Sequence, residues 1–335
     1  MKTKPTIAIT MGDPSGIGPE LCLKLLESKN VYNFCNPVIF GNSTILNLAA
    51  EKLNLTTPLR VISHEKWQKL DKNPDDINVI DVGDFDQNSL AVGKISKKSG
   101  EASYRYIDEA IIAAKKNKID AITTCPINKN SINMAGYKLP GHTEIFAEKT
   151  SSKNYCMMQY SNEITASFVT CHVGLKEACS WITKERIIQV IELTSNALNL
   201  INNSKPRDIV VCGLNPHSGE NGLFGENEEE KIIIPAIEQA ISMGYKVKGP
   251  SVPDTAFVPE KRKKTGAYIC MYHDQGHIPL KAIAFDEAVN VTLGLPIIRT
   301  SVDHGTAFDI AWKGVAKVSS LIKAAELAAK MSIKK

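Results

Sequence analysis

Short runs of β-branched and apolar residues alternate along this chain with longer stretches whose apolar positions recur every three or four residues. The short runs predict strands over Thr6–Thr10, Val38–Gly41, Asn78–Val82, Asp120–Thr124, Ser167–Cys171, Asp208–Cys212, Ala267–Tyr272 and Asn290–Leu293. The longer ones predict helices over Pro19–Ser28, Tyr104–Asn117, Thr183–Asn202, Asn227–Met243 and Val318–Met331. This alternation argues for an α/β protein with a largely parallel sheet, because each parallel return needs a crossover of about a dozen residues or more. No repeat of fixed period and no low-complexity linker divides the chain.

At about 100 to 200 residues per domain, 335 residues suggest two domains, or one large α/β unit with an added lobe. A hydrophobic share of 43% with 23% charged residues excludes intrinsic disorder and allows a sizeable core. The net charge of +4 lacks the concentrated basic stripe of a nucleic-acid binder. The run Lys261-Arg262-Lys263-Lys264, set between Pro259 and Gly266, reads as a solvated turn. No apolar run approaches the roughly 18 residues of a membrane span, and the start turns to Gly, Pro and Asp too early for a signal peptide. The expectation is a cytoplasmic protein that partners neither nucleic acid nor membrane. The cysteines, Cys22, Cys35, Cys125, Cys156, Cys171, Cys179, Cys212 and Cys270, form no C-x-x-C pair and lie mostly in apolar stretches. They read as reduced, buried or half-buried thiols.

Ligands of open α/β sheets bind beyond the carboxyl ends of the strands, and three predicted strands lead into histidine there. Ser167–Cys171 delivers His172, Asp208–Cys212 passes through Gly213-Leu214-Asn215-Pro216 to His217, and Ala267–Tyr272 delivers His273. Each alone is more often a hydrogen-bonded core or surface residue than a ligand. Together, three imidazoles can converge on one divalent ion and leave a coordination position open, as catalytic metal sites do. His277 is a rival ligand only if its segment is helical, against which Gly276 and Pro279 argue. His64 stands in a polar helical stretch with no partner.

Met11-Gly12-Asp13-Pro14-Ser15-Gly16-Ile17-Gly18-Pro19-Glu20 follows the first strand and opens a helix, with Pro19 suited to the first turn. Its glycines allow close approach to a ligand, and a helix start favours anions. It is not a P-loop, having no Gly-Lys-Ser/Thr, nor the dinucleotide fingerprint, having no third glycine and no acid about 20 residues later. A structural turn fits equally. Near the other end, Ser301-Val302-Asp303-His304-Gly305-Thr306-Ala307-Phe308-Asp309-Ile310-Ala311 again joins glycine to polar residues past an apolar run, as a plain loop before the last helix also would.

Taken together, Gly-Ile-Gly-Pro-Glu near the start and His-Gly-Thr-Ala-x-Asp-Ile-Ala near the end resemble the isocitrate and isopropylmalate dehydrogenase superfamily. Within it, GDPSGIGPE (12–20), AGYKLPGHTE (135–144), VCGLNPHSGENG (211–222), MYHDQGHIPLK (271–281) and VNVTLGLPIIRTSVDHGTA (289–307) resemble the 4-hydroxythreonine-4-phosphate dehydrogenases of vitamin B6 synthesis. That family includes paralogues acting on threonate or erythronate 4-phosphate and on an aromatic dihydrodiol carboxylate. The resemblance spans nearly the whole chain. It implies a two-lobed α/β/α fold that is not of Rossmann type, with a nucleotide-binding lobe from residues 1–125 plus 296–335. Residues 126–295 would form the metal, substrate and dimerisation lobe, with the site in the cleft.

The resemblance further implies a homodimer with a shared metal site, in which His172, His217 and His273 hold one divalent ion and at least one of them comes from the partner. Imidazole ligands favour zinc, with magnesium, cobalt and manganese left open. NAD or NADP would meet Gly16, Gly18, His304, Gly305 and Thr306. Substrate contacts would fall on His142, Thr143, Lys281, Asn290 and Arg299, where Arg offers a planar fork and Lys a point charge to carboxylate and phosphate. Each has a plainer alternative: Lys281 as a snorkelling surface residue, Arg299 as a salt-bridge partner, His142 as a helix cap, Thr143 as an N-terminal helix residue and Asn290 as an edge-strand polar residue. Asp274 or Lys129 would take the alcohol proton, although Asp274 could equally orient an imidazole.

The implied reaction is oxidation of 4-phosphooxy-L-threonine to 2-amino-3-oxo-4-phosphooxybutanoate, which decarboxylates to 3-amino-2-oxopropyl phosphate. The alternative is the matching oxidation of D-threonate or D-erythronate 4-phosphate. Cys125-Pro126-Ile127-Asn128-Lys129 departs from the Gly-Pro-Val-His-Lys expected of the B6 enzyme, and Phe168–Leu175 also reads closer to the threonate-type paralogues. Two other classes compete: a hydrolase using Cys125 or Cys171, and a non-catalytic phosphometabolite-binding protein, which would have no reason for converging imidazoles.

Overall fold

The computed structural model describes residues 4–71, 73–74, 76–139, 141–201, 208–285 and 287–333. Pro140 of the 135–144 segment, Asn202 of the expected 183–202 helix, and the ends 1–3 and 334–335 of the expected nucleotide lobe lie outside the described residues. The chain forms two compact units, Met1–Lys153 with Leu295–Lys335, and Asn154–Gly294.

In the first unit the strands β1 (Thr6–Thr10), β2 (Asn36–Gly41), β3 (Val61–Ser63), β4 (Val79–Asp81) and β5 (Ala121–Thr124) run parallel in the order β3-β4-β2-β1-β5. The late strand Arg299–Val302 adds to β5, also in parallel. Covered on both faces, β1 and β5 read as continuous apolar runs, and Ile7, Ala8, Ile9, Ala121 and Ile122 have no exposed surface. The helix Lys97–Lys115 starts earlier than the predicted Tyr104, because Ser96 caps it through Ser99 and its buried face begins with small residues. Gly100 is one of them: a Cβ there would lie 2.0 Å from the Ser131 carbonyl oxygen, so only glycine lets this helix meet Lys129–Met134.

The second unit holds β6 (Cys156–Tyr160), β7 (Thr165–Phe168), β8 (Ile209–Cys212), β9 (Val247–Ser251), β10 (Ala267–Cys270) and β11 (Val289–Leu293), ordered β11-β6-β7-β10-β8-β9. β6 is antiparallel to β11 and β7, and the remaining pairs are parallel. The hairpin β6–β7 closes over Ser161, whose amide donates to Ile164 O at 2.9 Å. The α/β class and the largely parallel sheet are thus borne out.

Several local readings need correction. The expected Asn227–Met243 helix splits into a π turn, Glu229–Ile233, and an α-helix, Ile234–Ser242, with Pro235, which has no N–H, at the junction. The segment with Gly276 and Pro279 is helical after all, over His273–Ala284. Gly276 is there for packing, since a Cβ would come within 2.7 Å of the Phe168 ring and 2.8 Å of Cys270 Sγ. The Lys261–Lys264 run begins in a short helix, Pro259–Arg262, where Arg262 pairs with Glu163 at 3.2 Å instead of standing in solvent. His64 has a partner, Glu109, at 2.8 Å. Among the described residues no helix is long and apolar enough to cross a membrane.

Candidate active site

The strand order of the first unit reverses direction at β1 and β5, the place where parallel α/β sheets bind ligands. The loops leaving these strands are locked together: the Asp13 amide donates to Pro126 O at 2.9 Å, and a Cβ on Gly12 would sit 2.3 Å from the same oxygen. Asn128 caps the helix Lys129–Met134 by accepting from the Ser131 amide at 2.9 Å. Asn128, one of the residues that depart from the family pattern, is therefore a helix cap, which places Lys129 in the first turn.

Three basic side chains named from the sequence gather here. Arg299 is buried on its strand, donates through Nη2 to Thr124 Oγ1 at 2.7 Å, and lies with its guanidinium 5.4 Å from the Phe146 ring centre. Burial pushes its pKa down to about 9, against the pull of the Glu144 carboxylate. His142 opens the helix His142–Lys149, with Thr143 next to it, and Gly141 holds the cap position in its place. Desolvation, then the charges of Arg299 and Lys129, holds the His142 imidazole well below its ordinary pKa. Among the described residues its buried Nε2 has no hydrogen-bond partner.

Asp13, which sequence reasoning passed over, is fully buried beside this point. Burial raises its pKa to about 6, opposed by the Ser15 amide, which donates to Oδ1 at 2.8 Å. Its position directly after the first strand was the available signal.

The two expected cofactor segments meet within the same unit. The Ile17 amide donates to Thr306 O at 3.1 Å, and a Cβ on Gly16 would lie 2.9 Å from that oxygen. A Cβ on Gly18 would lie 2.0 Å from Met11 O. Gly16 and Gly18 thus serve the chain's own close approaches. His304 and Gly305 are exposed, and a Cβ on Gly305 would meet nothing within 4 Å. Glu20, with no exposed surface, fastens the loop by accepting from the Gly314 and Ala316 amides at 3.1 and 2.8 Å.

In the second unit, β7 ends at Phe168, short of the expected Cys171, yet its pairing with the exit of β10 continues. The Val169 amide donates to Cys270 O at 2.9 Å and Thr170 Oγ1 to Met271 O at 2.8 Å. Arg186 ties the same segment down through Val169 O and Tyr155 O. This register sets His172 beside His273, with ring centres 5.9 Å apart. Donor atoms of Cys171, His172 and His273 all lie within 4.8 Å of one another.

Asp274 Oδ1 takes a hydrogen bond from His273 Nδ1 at 2.6 Å, which leaves Nε2 as the nitrogen with the lone pair. His277 stacks on His273 at 3.8 Å and on Phe168 at 4.4 Å. Because its Nδ1 faces the His273 carbonyl at 3.0 Å, that nitrogen carries the proton and His277 supports the group by packing.

His217 is not in this group. It lies in a loop in which His217, Ser218, Gly219, Glu220, Asn221 and Gly222 all have positive φ. Buried Glu229 braces the loop's entry, accepting from the Leu214 and Asn215 amides at 2.8 Å each. His217 Nδ1 pairs with Glu220 at 2.7 Å, the same carboxylate–imidazole pattern as in His273–Asp274. Asn290 on β11 buries Oδ1 with no hydrogen-bond partner among the described residues. Lys281 is exposed on its helix, with Nζ 5.7 Å from the Phe285 ring centre.

The first unit is a parallel α/β unit with buried basic side chains at its switch point, and the second carries an imidazole–thiol group; the fold is that of an α/β enzyme. Comparison makes this particular. The profile of the family described as "Pyridoxal phosphate biosynthetic protein PdxA" matches residues 33–328, and the chain belongs to that dehydrogenase family. It is 44% identical over 328 residues to an Oceanobacillus iheyensis protein named "Putative D-threonate 4-phosphate dehydrogenase", covering 97% of each chain. It is 42% identical to a 4-hydroxythreonine-4-phosphate dehydrogenase of Desulforapulum autotrophicum, over 97% of this chain and 95% of that one. The crystal structure of the 4-hydroxythreonine-4-phosphate dehydrogenase of Klebsiella pneumoniae superposes with a TM-score of 0.84 at 38% identity, covering 98% of this chain and all of that one.

Proposed function

We propose that this protein oxidises a small 4-phosphorylated hydroxy acid at a CH–OH group, using NAD and one divalent metal, and that it works as a homodimer. The observation that carries the reading is the buried, unpartnered Nε2 of His142, held in a neutral ring by burial and by Arg299 and Lys129. Such a nitrogen calls for a ligand's hydroxyl or oxyanion, since a buried polar atom left unpaired costs about 1–3 kcal/mol. Arg299 and Lys129 bring the cationic charge that a phosphate or carboxylate requires, and Thr143 lies in a helix start that favours anions. Asn290 Oδ1, in the second unit, is likewise buried without a hydrogen-bond partner among the described residues, as a ligand-binding group would be.

The donor set suits a metal, because His273 and His217 each have a carboxylate on Nδ1 as metal-bound histidines commonly do. His172, His217 and His273 would hold the ion, with zinc favoured by the imidazoles. When bound, it supplies Lewis acidity that favours loss of the hydroxyl proton and steadies negative charge on oxygen. Gly16, Gly18, His304, Gly305 and Thr306 would hold NAD, which would supply the hydride acceptor. Asp274 orients His273, so we assign removal of the alcohol proton to Lys129 as its free amine, its ammonium having first given a proton to solvent. The resulting 3-oxo acid then loses carbon dioxide.

A dimer accords with the exposed Leu175, Trp181, Leu223, Ile278 and Phe285, all on the unit that carries the three histidines. His217 stands apart from His172 and His273, as a ligand offered to a partner copy would.

Between the two substrate readings, D-threonate or D-erythronate 4-phosphate comes first. The charges that act on His142 are those of Arg299 and Lys129, these substrates carry no ammonium, and Asn128 departs from the B6 pattern. The second reading, 4-phosphooxy-L-threonine, rests on the relatives from Desulforapulum and Klebsiella. The test is kcat/KM for NADH formation on the three compounds. We expect the sugar-acid phosphates to exceed 4-phosphooxy-L-threonine; the reverse order establishes the second reading, and no turnover on any of them refutes both.

A further inference from the structure

The group in the second unit contains a thiol for which the three-histidine resemblance has no place. Cys171 is half-buried and contributes Sγ to the set of donors lying within 4.8 Å of one another with His172 and His273. Its contact with Met157 Sδ, at 3.5 Å, involves a thioether, which is a weak acceptor and a poor competitor for a cation. The continued pairing of Val169 and Thr170 with the exit of β10 fixes the backbone immediately before Cys171, so the thiol reaches the group as firmly as His172 does. The other thiols of this unit differ: Cys156, Cys212 and Cys270 are buried, and Cys179 is exposed on the helix Leu175–Trp181.

We propose that Cys171 is a metal ligand of this protein, acting with His172 and His273, so that the ion is held by mixed sulfur and nitrogen donors. The proposal rests on the reading above that these two histidines hold a metal. Donors around a tetrahedral zinc stand about 3.5 Å apart, so donors already within 4.8 Å can close on an ion by side-chain adjustment alone. On binding, the thiol releases its proton to solvent and coordinates as thiolate. A thiolate is a soft donor, and it shifts the site's preference toward zinc or cobalt(II) and away from magnesium, a hard cation that takes oxygen ligands.

The test is a cobalt(II) titration of the full-length, chelator-stripped protein, followed by absorption. The wild type should develop visible d–d bands together with a near-ultraviolet sulfur-to-cobalt charge-transfer band. Cys171→Ser should lose the charge-transfer band, keep the d–d bands, and bind zinc about tenfold or more weakly in competition with a zinc indicator. Cys179→Ser should behave as wild type. Visible bands without the charge-transfer band in the wild type, a reading that needs no variant to fold, would overturn the proposal and leave the histidine site intact. A charge-transfer band that survives Cys171→Ser would also overturn it. Absence of any cobalt spectrum would remove both this proposal and the metal reading beneath it.

Discussion

The two units tune their ionisable side chains by opposite means. At the switch point of the first, Arg299, His142 and Asp13 are shifted chiefly by burial, each toward its neutral form. In the second, His273 and His217 keep carboxylates at 2.6 and 2.7 Å, which orient their rings. Burial strengthens every interaction with an incoming anion, because little solvent competes, and it leaves atoms such as His142 Nε2 unpaired until a ligand arrives. Pairing instead fixes an imidazole's tautomer and orientation, which a metal needs. One residue type, histidine, is thereby prepared for two kinds of ligand.

The contrast can be broken at several points. Arg299→Ala should have the largest effect, lowering kcat/KM about 1000-fold through loss of charge-assisted hydrogen bonds worth about 1.5–3 kcal/mol each, while zinc affinity stays unchanged. A parallel fall in zinc affinity would show that the two units are not prepared separately.

Asp13 comes next. Its folded-state pKa of about 6 lies above the ordinary carboxylate range, so between about pH 4 and 6 the folded chain binds more protons than the unfolded one. This contribution to stability is full below pH 4 and is lost as the pH rises to 6, an amount of about 3 kcal/mol at 1.36 kcal/mol per pKa unit. Asp13→Asn should remove that pH dependence in urea unfolding at pH 4 and pH 7.5. An unchanged difference between the two pH values would take Asp13 out of the buried set.

Asp274→Asn has the smallest expected effect. Zinc affinity should fall by about 10- to 100-fold, measured by indicator competition, with the affinity for inorganic phosphate preserved. Unchanged zinc affinity would reduce the His273–Asp274 bond to a surface contact.

The sequence disclosed some of this and hid the rest for physical reasons. Strands such as β1 and β5 were legible because burial on both faces leaves an uninterrupted apolar run. The start of the helix Lys97–Lys115 was hidden because its core-facing residues, Ser99, Gly100 and Ser103, are small and polar or have no side chain, and its tight packing is invisible to a hydrophobic period. The helix His273–Ala284 was hidden by Gly276 and Pro279, ordinarily helix breakers, of which the glycine answers to Phe168 and Cys270. His172 and His273 could be picked out because each follows a strand run. Asp13 and Cys171 also follow or end strand runs, but nothing in the sequence marks Asp13 as buried or sets Cys171 beside two histidines, and Glu229 carries no signal, since what distinguishes each is what the folded chain places next to it.

Anion binding by one unit and metal binding by the other are proposed to serve one oxidation. The most direct measurement is NADH formation from NAD and D-threonate 4-phosphate by the zinc-loaded protein, beside the unphosphorylated acid and beside a chelator-stripped sample. The account predicts turnover with the phosphorylated acid alone, lost on chelation and restored by zinc. Equal turnover on the unphosphorylated acid, or turnover indifferent to the chelator, would contradict it.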